Sequence, residues 1–241
     1  MNANRFLFLA LAIAACLGSY VGAADNPAST NTVAVVFGKS ISAADLGSTG
    51  MTMLDVIWRE VNDRYAKKNN LVATDQECEA YEKWQVEAGE HDREKRRREL
   101  NSLEEQLKSE NIAKEKRAQF EKDRKTLLWV EAQEEWAKEV SIPQEVKRRA
   151  SGQWVTFHKV YKAIYEEYGG KVAITAFGLY PIEARRKLIE EYMRAGDIRF
   201  LDDGFEVEFW QNYEKGGRLI ATKDQIDFTP YWLKPIPNDP D

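Results

Sequence analysis

From Glu90 to Val140 the chain runs without a glycine or a proline. The stretch, EHDREKRRRELNSLEEQLKSENIAKEKRAQFEKDRKTLLWVEAQEEWAKEV, is built almost wholly from strong helix formers. Such a segment has no means of turning into a sheet, so helix is forced on this part of the fold. Its apolar residues are sparse. They are Leu100, Leu103 and Leu107, which form a narrow seam of coiled-coil type, and then Phe120, Leu127 and Val130. The spacing breaks near Ser109-Glu110-Asn111. We therefore expect two antiparallel helices with a turn there, their outer faces solvated and laced with charge pairs one turn apart.

The segments on either side are also mostly helical. Leu54, Ile57, Trp58, Val61 and Tyr65 recur at spacings of three and four, one face of a helix. Thr74-Asp75-Gln76-Glu77 is a capping box that opens a helix carrying Cys78, Tyr81 and Trp84, with Gly89 as a candidate break. Ile142-Pro143 opens another helix, which runs to about Tyr168 and ends at Gly169-Gly170. Pro181 opens a further one, closed by Gly196. Asp202-Asp203-Gly204 is a turn signal rather than a metal site. Two apolar, β-branched runs stand apart from this pattern, Val33 to Phe37 and Val172 to Phe177. A lone strand in a helical protein needs an edge for its backbone groups. The expectation is that the two pair, stitching the N-terminus to the C-terminal half. The fold class read here is mainly α: a helical domain, a small two-stranded sheet and a charged helical hairpin.

The first residues read as an address. Arg5 is followed by an apolar run to Leu17, a short polar region from Gly18 and small residues up to Ala23, the pattern of a secretory signal peptide. It is too short for a spanning helix. Residues 1–23 would be removed, with cleavage near Ala23 or Ala24, and residues 24–32 would be a flexible tether. Ile13-Ala14-Ala15-Cys16 also fits a bacterial lipobox, so Cys16 is a possible lipidation site. Ordinary cleavage is preferred because a complete polar tail separates Cys16 from Ala23. A membrane partner is expected only in the lipidated case. Otherwise the product is exported and periplasmic. Either way Cys78 remains as a single thiol, with no intramolecular disulfide open to it. The domain is expected over residues 33–228 with the hairpin inserted at 90–140. Residues 229–241 hold Pro230, Pro235, Pro237 and Pro240, a tail that cannot be regular helix or central strand.

Chemistry is sparse. His91 and His158, the two histidines, fall on different helices, and no His-Glu-x-x-His, Cys-x-x-Cys, P-loop or nucleophile elbow is present. Glu166-Glu167 and Glu190-Glu191 are adjacent on helices and so do not share a face. No catalytic residues, cofactor or metal are expected. A net charge of −5 argues against a nucleic-acid partner. Aromatic residues are plentiful, with seven Trp, ten Tyr and ten Phe, concentrated after Trp154. Trp154, Tyr161 and Tyr165 share one helix face, and Trp210 lies in a second cluster with Phe205, Phe209 and Tyr213. These faces either pack together as core or partly line a groove for apolar polypeptide, so Trp154, Tyr161, Tyr165 and Trp210 are the candidate peptide-binding residues.

VAVVFGKSISAADL, followed by MLDVIWREVNDRYAKKNNLVATDQECEAYEKW, resembles the N-terminal module of the SurA-type periplasmic chaperones and their foldase relatives. Val35, Gly38, Ile41, Ser42 and Leu46 match the strand motif of that family. Leu71, Val72, Thr74, Asp75 and Glu77 resemble the motif that follows its first helix. Phe37 stands where the family has Asn. The resemblance covers residues 33–85 well and the remainder loosely. It implies binding of unfolded or partly folded exported polypeptides, with the first strand tied to a C-terminal segment. The parvulin-type isomerase domain of many relatives has no counterpart in the sequence. The leading expectation is thus a non-enzymatic, chaperone-like envelope protein. Two alternatives stand beside it: a minimal or degenerate prolyl isomerase, and an interaction protein that docks one partner through the charged hairpin.

Overall fold

The computed structural model describes residues 32–44, 52–175, 178–214 and 219–236. The expected signal peptide, Cys16, residues 24–31 of the tether and Phe177 lie outside them, whereas Thr32, read as the last residue of the tether, lies within them.

The N-terminal hairpin joins β1 (Thr32–Val36) to β2 (Lys39–Ser42) through Phe37 and Gly38. Both turn residues have positive φ, 51° and 82°, as a two-residue hairpin loop requires. Glycine adopts this freely and phenylalanine does not. Phe37 is held there by its surroundings. Its N–H donates to the Asp197 carbonyl at 2.7 Å, and its ring meets the edge of Tyr192 at 4.9 Å, with the Arg64 guanidinium 5.5 Å from its centre. An Asn would relieve the backbone and keep the N–H bond but forgo the two ring contacts.

The other edge of β1 is covered by β5 (Ile198–Phe200), with Val36 opposite Ile198 and Ala34 opposite Phe200. The N-terminal strand is therefore tied to the C-terminal half, but its partner is not the expected run at 172–177. That run supplies β3 (Ala173–Thr175), which pairs with β4 (Gly178–Tyr180) and β6 (Leu219–Ile220) in a separate sheet. Among the described residues two three-stranded antiparallel sheets replace the single two-stranded one. The reason is local. Residues 173–175 find an antiparallel partner close by in 178–180, whereas the second edge of β1 is met by a three-residue strand.

Helix α1 (Met53–Lys68) opens on a capping box between Thr52 and Asp55. It buries Ile57, Trp58, Val61 and Tyr65, the face read from spacing. Helix α2 (Asp75–Leu107) opens on the expected Thr74–Glu77 box and runs unbroken through Gly89. A single mid-helix glycine costs only about 1 kcal/mol relative to alanine, which the strong helix formers around it absorb. Helix α3 (Lys114–Glu139) returns antiparallel along α2 after the turn at 108–113. Arg124 bonds Glu104 at 3.2 Å, and Arg117 donates to the carbonyls of Leu107 and Ser109. Farther from the turn, Arg96, itself buried, pairs with Glu134 beside Leu127 and Val130. The charged hairpin is present, but its first arm is the far part of a helix that begins at Asp75, so it is not a separate insertion opening at residue 90.

Helix α4 (Gln144–Tyr168) starts after Pro143 and stops at Gly169, φ 61°. It lies on α2, to which Arg148 and Lys159 bind it through Glu82 (3.2 Å) and Glu77 (2.9 Å). Helix α5 (Ile182–Arg194) and helix α6 (Asp203–Glu214) complete the body. Asp202 is a helix cap rather than a simple turn: its Oδ1 accepts from the N–H groups of Gly204 and Phe205. The main core gathers β1, β2, β5, α1, α4, α5 and α6 around Ile57, Val61, Ile164, Ile189 and Phe209. A second, smaller core holds Tyr81, Val155 and Trp232. Trp232 lies in a 3₁₀ turn, Tyr231–Leu233, so residues 229–236 are part of the domain and not a loose tail.

Candidate polypeptide-binding surfaces

Helix α4 carries its aromatic stripe into three different settings. Trp154 flanks the second core and meets Phe157 edge-on at 6.3 Å. Tyr161 flanks the main core among Trp58 (5.8 Å), Phe157 (6.4 Å) and Tyr180 (5.6 Å). Tyr165 stacks at a tilt on Phe228 at 5.1 Å. Trp210, on α6, packs on Phe209 and Tyr213, with the Arg186 guanidinium 5.0 Å over its ring. The structure thus brings Tyr161 and Trp210 to the fringe of one core and places Trp154 and Tyr165 elsewhere. Among the described residues the four do not line a common groove.

Between the α4 and α6 faces sits an arginine. Arg185 on α5 is 2% exposed. Its guanidinium lies 3.7 Å from the centre of the Trp58 ring and 4.1 Å from that of Tyr180, with Tyr161 at 5.8 Å and Tyr213 at 5.9 Å. Four ring faces and edges replace much of the water this cation has lost. Burial pushes the Tyr161 phenol up, against the pull of Arg185. The arrangement is a structural clasp joining α1, α4, α5 and α6.

Several titratable groups beside these faces are already committed. Glu167 accepts from the Tyr65 hydroxyl at 2.6 Å and Glu191 from that of Tyr168 at 2.7 Å. Burial and then the carboxylate partner push both phenols well above their usual range. Glu190 pairs with Arg186 and Glu166 with Lys162, so the adjacent glutamates serve separate partners. Cys78 is buried, and burial pushes its thiol up, away from the reactive thiolate. Among the described residues no group of three His, Cys, Asp or Glu is placed to hold a metal ion. No helix among them is long and apolar enough to cross a membrane.

Exposed apolar side chains are scattered over the described residues, Val72, Leu201, Val207, Leu219 and Leu233 among them, but the two exposed tryptophans lie on the hairpin. On α3, Trp129 is 50% exposed and Trp136 63% exposed, and Val140 just beyond the helix is exposed too. With Ala132 they recur at intervals of three, four and four residues, a continuous stripe on one face. Leu127 and Val130, which face α2, belong to another side of the same helix. An exposed stripe with two indole rings is the kind of surface that large apolar side chains of a partner can cover.

No family model, curated protein or solved structure matches the chain. The functional reading therefore rests on the geometry above and on the motifs of residues 33–85. The exposure of Trp129 and Trp136 was not anticipated from the sequence because the charge run around them reads as a solvated face. The signal was present: two tryptophans seven residues apart, off the seam formed by Leu127 and Val130.

Proposed function

We propose that the protein is an exported, chaperone-like binding protein of the bacterial envelope that holds unfolded or partly folded polypeptides without acting on them chemically. The observation that carries this reading is the exposed stripe of Trp129, Ala132, Trp136 and Val140 on a projecting, otherwise charged hairpin. Rigid aromatic anchors bind varied apolar segments at low entropic cost, and the surrounding charge keeps the arm soluble. The SurA-type motifs point the same way. Their strand turn and capping box fall on β1–β2 and the start of α2, elements that brace the body from which the hairpin projects.

The same stripe also favours a second reading, docking of one dedicated partner. Aggregation assays separate the two. The wild-type chain is expected to suppress aggregation of at least two unrelated unfolded proteins. The double variant Trp129→Ala/Trp136→Ala is expected to lose about tenfold or more of that capacity, since aromatic anchors dominate such contacts. Its thermal midpoint should stay near wild type, because exposed substitutions change stability by only about 0.5 kcal/mol. Full holding activity in the double variant would reject the surface, and a single saturable ligand with no suppression would favour dedicated docking.

A further inference from the structure

The C-terminal segment, residues 222–236, crosses α2 and α4 as a strap. Its upstream end is pinned where the Ala221 N–H donates to the Val172 carbonyl at 2.8 Å. Beyond that point the strap is held largely by rings. Phe228 lies on Tyr165 at 5.1 Å, and Tyr231 lies on Trp84 at 4.9 Å. Trp232, 7% exposed, meets Tyr81 at 5.3 Å and the His158 imidazole at 4.8 Å. The strap's own ion pair, Lys234 with Asp227 at 2.5 Å, is internal and does not tie it to the body.

His158 is the one group in this contact suited to change charge between neutral and mildly acid pH. The charges facing it are Lys162 from its own helix, and Lys234 and Asp227 from the strap. Helix α2 contributes Tyr81 and Trp84 to the same contact, and burial holds the Tyr81 phenol protonated far above neutrality. Two of the three charges are cations, so the surroundings oppose an imidazolium. Asp227 is held far below the usual carboxylate range by Lys234 and the Thr229 N–H, so it stays ionised throughout this window.

We propose that residues 222–236 are an acid-released cover, freed when His158 takes up a proton, over a second binding surface formed by Tyr81, Trp84 and Val155. The surface would hold apolar segments of unfolded polypeptide, a use that rests on the holding function proposed above. Burial, with Lys162 and Lys234, lowers the imidazole from 6.5 to about 4 in the closed state. A depressed value means that the closing contribution is complete above 6.5 and is lost as pH falls towards 4. The shift changes the open fraction on the order of a hundredfold by pH 4.

Hydrogen exchange of the full-length chain at pH 7 and pH 4, corrected for intrinsic rates, tests the release. Residues 222–236 are expected to lose protection by about a hundredfold while α1, α4 and α5 keep theirs. His158→Phe keeps a ring against Trp232 without a titrating group, and is expected to abolish the acid loss. His158→Gln checks that the effect follows the charge and not the ring. Protection that is unchanged or increased at pH 4 overturns the proposal, the latter meaning that attraction of the imidazolium to the Trp232 ring has won. Loss in step with the core, or an equal loss in His158→Phe, overturns it as well. Binding of reduced, alkylated α-lactalbumin, measured at both pH values in the Trp129→Ala/Trp136→Ala background, tests the surface. A gain at pH 4 that His158→Phe lacks supports it. Release without gain overturns the role as a cover, whereas failure of holding at pH 7 by the wild-type chain is a separate failure, of the function proposed for the hairpin.

Discussion

Replacing Arg185 with alanine is expected to cost about 3–5 kcal/mol of folding stability, combining a cavity among four rings with the loss of a desolvated cation–π contact. The expectation follows from its burial and from the Trp58 and Tyr180 rings at 3.7 and 4.1 Å. Urea unfolding followed by tryptophan fluorescence reads it directly. Arg185→Met separates the two causes. Methionine fills most of the space without charge, and an apolar replacement of a buried ion is often neutral or better. If the clasp works chiefly by filling the site, Arg185→Met recovers most of the loss. If the ring-bound charge matters most, it recovers little. An Arg185→Ala variant as stable as wild type would mean that the four rings close over the gap and that the clasp is dispensable.

The second large effect is expected at β1. Val36 is wholly buried in the middle strand of its sheet, between Lys39 of β2 and Ile198 of β5. Val36→Asp places an unpaired carboxylate in the main core, at a cost of several kcal/mol. That approaches the whole stability of an ordinary domain, about 5–15 kcal/mol. The variant should unfold at or near physiological temperature. Val35 points to the other face and is only half-buried, so Val35→Asp is the control and should lose far less. Similar thermal midpoints for the two variants would contradict the sheet register described here.

The parts of the fold carried by strong local signals could be read from the sequence. The Thr74–Glu77 box, Pro143 and Gly169 mark helix ends by backbone chemistry alone, and the structure places the ends there. The hairpin followed from helix formers unbroken by glycine or proline. The parts that depend on tertiary choice could not be read in the same way. Ile198-Arg199-Phe200 is too short to announce itself as a strand, and it acquires that role only because β1 offers an open edge. Arg185 and Arg186 are neighbours of identical type, yet one is caged and the other reaches the Trp210 ring on the fringe of the core. The spacing of Ile182, Arg185, Ile189 and Tyr192 does put Arg185 on the buried side of α5, but composition argues against burying an arginine until its four rings are seen. The aromatic stripe of α4 was legible as a stripe. Its division among two cores and the strap was not, since that depends on where Phe228 and Trp232 return. For the same reason a proline-rich ending concealed a buried tryptophan.

The claim that the hairpin holds unfolded polypeptide is tested most directly by mapping where a client sits. Hydrogen exchange on the full-length chain at pH 7, with and without an excess of reduced, alkylated α-lactalbumin, makes that map. The account predicts slowed exchange confined mainly to residues 126–140 of the hairpin, abolished in the Trp129→Ala/Trp136→Ala variant. Protection elsewhere with residues 126–140 unchanged, or no protection at client concentrations that the wild-type chain keeps from aggregating, would contradict it.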